Sequence, residues 1–157
     1  MIPEGLFPVS GTKPVTTNGG VTCDYVSLKY AQMAYVVIHL TQAVGHATAI
    51  TIEKATAVAG TGHTAITNVV PIWYGNVSTS SNALTRQTDA VSYTIGVGVT
   101  GEAYIIFKID PASLGAYDCI TAIAADSSQA TNIWEVTYWI QPRYSAPVAN
   151  QMNYITD

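Results

Sequence analysis

Tyr104-Ile-Ile-Phe-Lys-Ile-Asp110, then Pro-Ala-Ser-Leu-Gly115, then Ala-Tyr-Asp-Cys-Ile-Thr-Ala-Ile-Ala-Ala125 is the stretch on which the fold turns. Its first run is dense in β-branched and aromatic residues, and period-two alternation puts Tyr104, Ile106 and Lys108 on one face and Ile105, Phe107 and Ile109 on the other. It predicts a strand. Asp110-Pro111 ends that strand, because proline lacks an amide donor and holds its predecessor extended, and Ser113-Leu114-Gly115 suits a short helical turn closed by glycine. A second strand is predicted over 117–125, and the two are expected as neighbours at the centre of a sheet. Nothing in the unit carries a catalytic pattern.

Composition extends the reading to the whole chain. Val, Ile and Thr together supply 51 of the 157 residues against 5 Leu, an imbalance that favours strands over helices. One domain is expected at this length, with a core large enough to need neither disulfide nor metal. Charged residues make up only 10% of the chain, below the roughly 25% usual in soluble domains, and such an exterior suits a protein packed against other subunits. With six Lys and Arg in all and a net charge of −4, no basic stripe is available to neutralise phosphates, so no direct nucleic-acid partner is expected. No apolar run reaches the length of a membrane span, and Met1-Ile-Pro-Glu-Gly5 lacks the regions of a signal peptide; no membrane association and synthesis in the cytosol are expected.

Taken in order, residues 1–20 read as an extended N-terminal arm, since Pro3, Pro8 and Pro14 with four glycines resist both helix and central strand. Its apolar residues Ile2, Leu6, Phe7 and Val9 are candidate anchors on the arm's own domain or a neighbouring subunit. Residues 21–144 read as the β-domain. Gln32 to Leu40 is a buried strand expected to form a hairpin with the half-buried strand Thr48 to Ala55; short strands follow at 64–66 and 69–74, and alternation resumes over 90–99. Asn132 to Ile140 is the last strand. Residues 145–157 read as a C-terminal tail with candidate anchors Met152, Tyr154 and Ile155. Eight or so short strands separated by turn signals predict an antiparallel β-sandwich, jelly-roll-like, with extended N- and C-terminal arms. Its expected core includes Val36, Ile38, Ile50, Ile52, Ile105, Phe107, Ile120, Ile123, Val136 and Tyr138.

Chemistry-bearing patterns are absent from the sequence. His39, His46 and His63 match no metal-ligand spacing, and His39, in an apolar strand, reads as a satisfied core group. Cys23 and Cys119 form no Cys-x-x-Cys pattern and read as buried free thiols. The acids are scattered, and neither a nucleophile elbow nor a phosphate or dinucleotide loop occurs. No catalytic residue, metal or cofactor is therefore assigned. Trp73, Trp134, Trp139 and ten tyrosines read as core and interface anchors, with a carbohydrate-binding sandwich as the alternative from another class.

Val26-Ser-Leu-Lys-Tyr30, Ile50-Thr-Ile-Glu-Lys-Ala55 followed by Val58-Ala-Gly-Thr-Gly62, the unit Ile109-Asp110, Leu114 and Tyr117-Asp-Cys119, and Pro142-Arg-Tyr144 resemble small structural proteins of tailed bacteriophages. The resemblance spans residues 24–144 and, for a β-sandwich of this size, points to capsid decoration (cement) proteins. It implies a non-enzymatic protein on the outer capsid surface of the virion, made in the host bacterial cytoplasm, with the major capsid protein as partner and a homo-oligomer, a trimer, as the working unit. A neck or tail component is the alternative within virions. The resemblance brings no site residues.

Overall fold

The computed structural model describes residues 5–77, 81–144 and 153–155. Among these, one antiparallel sheet holds β1 (Phe7–Thr16), β4 (Ala31–Gln42), β7 (Ile72–Val77), β8 (Thr85–Arg86), β10 (Gly101–Ile109) and β12 (Ile133–Pro142), in the order β1-β12-β4-β10-β7-β8. The second holds β2 (Val21–Thr22), β3 (Val26–Ser27), β5 (Ala49–Ala55), β6 (Thr64–Ala65), β9 (Ser92–Thr94) and β11 (Cys119–Ala124). Its order is β2-β11-β5-β6, with β3 also on β11 and β9 also on β5.

The pairings nest. β1 pairs with β12, β2 and β3 with β11, β4 with β10, and β5 with β6 and β9, as in one long hairpin; rolling that hairpin up adds β12 against β4 and β11 against β5. This is jelly-roll connectivity, as the strand-rich sequence predicts.

Alternation fills the interior. Val36, Ile38 and Leu40 of β4, Ile105, Phe107 and Ile109 of β10, and Trp134, Val136, Tyr138 and Ile140 of β12 point at Ile50, Ile52, Ile120, Ala122 and Ala124 of the other sheet, all of them buried. Each large aliphatic or aromatic side chain among them contributes about 1.5–3 kcal/mol through burial. Between β10 and β11 a 3-10 helix (Pro111–Leu114) forms where expected: Asp110 Oδ1 accepts from Ala112 N at 2.9 Å, and Gly115, at φ 72°, takes the left-handed turn that ends it.

Five expectations are corrected. β10 and β11 are not neighbours in one sheet, because the helical turn carries the chain from one sheet to the other. β4 and β5 likewise cross between sheets instead of forming a hairpin. Phe7–Thr16, read as part of an extended arm lying along its own domain or a neighbouring subunit, is an edge strand on β12 of its own domain, which tolerates its prolines. Ile123 is half-buried outside the core, since alternation along β11 gives the interior to Ile120, Ala122 and Ala124. Only Ser92–Thr94 of the 90–99 run is strand, and Val97 is exposed while Ile95 is buried.

Candidate interaction face

The predicted anchors fall in different places. Ile2 and Met152 lie outside the described residues. Leu6 is half-buried, while Phe7 and Val9 pack on the core opposite Ile140 and Tyr138. Tyr154 is buried with its ring 6.5 Å from that of Phe7, and its carbonyl accepts from Ser27 N at 2.8 Å. Phe7, Val9 and Tyr154 thus spend their apolar surface on their own sandwich. Ile155 is 57% exposed, beside a hollow of about 490 Å³ between β1 and residues 153–155.

A mixed apolar and charged surface lies elsewhere, on the outer face of the six-stranded sheet. Register across β12, β4 and β10 aligns its outward side chains in four rows: Ile133-Thr41-Glu102, Glu135-His39-Tyr104, Thr137-Val37-Ile106 and Trp139-Tyr35-Lys108. All are partly accessible, with Glu102 the most open. Six of the twelve are aliphatic or aromatic, on the side of the sheet where an ordinary solvated sandwich alternates to polar residues. These six are half-buried and interleaved with Glu102, Glu135, His39 and Lys108, so the face is a mixed apolar and charged candidate surface for contact with another macromolecule.

The face is bounded on both sides. Toward β7, Arg86 lies over the Trp73 ring at 4.9 Å and pairs with Asp89, and a methyl built at Gly75 would come within 2.7 Å of Ala83 O, so the segment before β8 covers that strand. Toward β1, Pro14 walls a hollow of about 190 Å³ lined by His39, Thr41, Ile133 and Glu135.

His39 is the polar feature of the face, not a core residue. Period two sends Val36, Ile38 and Leu40 inward and leaves Val37 and His39 outward. Its ring stacks on Tyr104, with centroids 4.6 Å apart and planes at 9°. Nδ1 is 3.2 Å from Glu135 Oε1, whereas Nε2 is 3.8 Å from Glu102 Oε2, too far for a hydrogen bond. One end of the face is therefore acidic, and the other carries Lys108.

A second polar group sits on the other sheet. Tyr25 Oη donates to Glu53 Oε2 at 3.1 Å, and His63 Nδ1 is 3.0 Å from the same oxygen. Burial, then the Glu53 hydrogen bond and charge, push the Tyr25 hydroxyl up to about 12. The sequence gives no hint of the His63 contact, because Glu53 lies across a turn. This group fixes the loop before β6 to the sheet. Among the described residues no three His, Cys, Asp or Glu side chains are placed to hold a metal ion, and no helix is long and apolar enough to cross a membrane.

Fold and face define an all-β jelly-roll sandwich with one open sheet surface that mixes apolar and charged side chains. Among solved structures, the crystal structure of SPBc2 prophage-derived protein YomS is similar, at a TM-score of 0.50 and 10% sequence identity, covering 86% of this chain and 91% of that one. At that identity the likeness is one of fold. No protein-family model and no curated protein matches the chain.

Proposed function

We propose that the chain is a structural component of a tailed-phage virion, specifically a decoration (cement) protein on the outer capsid surface that works by burying surface against other subunits and not by catalysis. The observation that carries this reading is the open, mixed apolar and charged face of the six-stranded sheet, in a chain whose charge content is only 10%. The prophage origin of its structural neighbour supports the phage setting.

In this role the major capsid protein is the partner, and copies of the protein repeat over the shell, so that many modest contacts must break together when the shell is stressed. Homo-oligomerisation belongs to the same proposal. Purified protein mixed with empty shells should co-sediment with them, and cryo-electron microscopy should show it at regular sites on the outer surface. Density confined to the neck or tail would move the protein to that class of virion component. Failure to bind any particle, together with specific retention on a glycan array, would replace the proposal with the carbohydrate-binding reading.

A further inference from the structure

We propose that the open face of the six-stranded sheet is the interface of a two-fold homodimer, in which a second copy lies face to face with its strands running in the opposite sense. The dyad lies in the plane of the face, across the strands, between the Glu135-His39-Tyr104 row and the Thr137-Val37-Ile106 row. It superposes the end rows of one copy on the opposite end rows of the other. Glu102 then meets Lys108 of the second copy, Ile133 meets Trp139, and Tyr104 meets Ile106.

Charge selects this arrangement. Lys108 makes no ion pair among the described residues, and the one ion pair of Glu102 is its 3.8 Å contact with His39. The two lie six residues apart on β10, on the order of 20 Å, so they cannot meet within one chain. A dyad along β4 would instead set Glu102 against Ile133 and Lys108 against Trp139, leaving both charges against apolar side chains at an electrostatic cost. Reversal of the strands brings Lys108 of each copy to Glu102 of the other, two equivalent pairs, as a self-complementary interface requires. The apolar side chains between them lose water in the same step.

The inference assigns to a second copy the same face that carries the virion reading, and the two fail separately: dimerisation is tested on the purified full-length chain, whereas shell binding is tested on particles. Sedimentation equilibrium over a concentration series should give the mass of two chains, with a dimer that weakens as salt is added. Lys108→Glu and Glu102→Lys should each weaken it about 10-fold or more, with circular dichroism unchanged. An equimolar mixture of the two variants should recover the dimer, because each restores the other's lost pair. Should Lys108→Glu fail to fold, Lys108→Gln serves with a smaller expected loss. A one-chain or three-chain mass at all concentrations, or a dimer unmoved by either variant, overturns the proposal.

Discussion

Tyr138 Oη accepts a hydrogen bond from Ala122 N at 3.1 Å and donates one to Asp24 O at 3.1 Å, so a side chain of the six-stranded sheet closes a gap in the ladder of the other. The ring reaches that position because residue 11, directly above it, is glycine; a Cβ there would lie 2.5 Å from Tyr138 Cε2. Tyr138→Phe keeps the packing but takes the hydroxyl from the buried Ala122 N–H, and about 1–3 kcal/mol of stability should be lost in urea unfolding. Gly11→Ala should cost a similar amount by forcing the ring or β1 to shift.

Much of the fold is written in the sequence in just this way. Ile105 and Phe107, or Val136 and Tyr138, alternate so regularly that the core face of each strand follows. The pairing of strands does not, because the crossing between sheets after β4, over residues 43–48, is as short as an ordinary connection between neighbouring elements. Ile123 shows a further limit: Ile120 and Ile123 are three apart and cannot share a face, yet apolarity alone admits both. The open face was hidden for a related reason. Tyr104, Ile106, Val37 and Trp139 are as hydrophobic as the residues they alternate with, so no polarity contrast tells outside from inside until the second sheet is placed.

Cys23 and Cys119 are both buried and form no disulfide. Burial, with Asp24 adding to it, raises the Cys23 thiol to about 12, so almost no thiolate is present near neutrality. A thiol reagent at pH 8 should modify neither residue in the native protein and both after denaturation. Rapid labelling of native Cys23 would contradict the packing around it.

Asp126 fixes the turn before β12: its Oδ1 accepts from Ser128 N and Gly19 N, both at 2.6 Å. These bonds, Ser128 first, hold its carboxyl below the ordinary carboxylate value. A folded-state pKa below the unfolded one means that the stabilisation is complete above the ordinary carboxylate range and disappears as pH falls through the depressed folded value. Thermal melts from neutral pH downward should therefore show an acid-side loss that is smaller in Asp126→Asn. The variant should start lower at neutral pH, because it lacks the charge that strengthens both hydrogen bonds.

Truncation separates anchoring from folding at the N-terminus. Removal of residues 1–4 leaves every contact among the described residues in place and serves as the reference truncation. Removal through Val9 takes away the pairings Phe7 to Ile140, Pro8 to Trp139 and Val9 to Tyr138, and exposes the edge of β12. Phe7 and Val9 are only partly buried, so their combined loss should be about 2–3 kcal/mol, against about 1.5–3 for one fully buried side chain. For a chain of this length that corresponds to a fall of roughly 5–10 °C. Loss of shell binding in the longer truncation would then report a damaged sandwich, whereas loss in the shorter one, at unchanged melting temperature, would identify residues 1–4 as a direct attachment segment. Equal melting temperatures for the two truncations would show that β1 contributes nothing to the fold and contradict its place in the sheet.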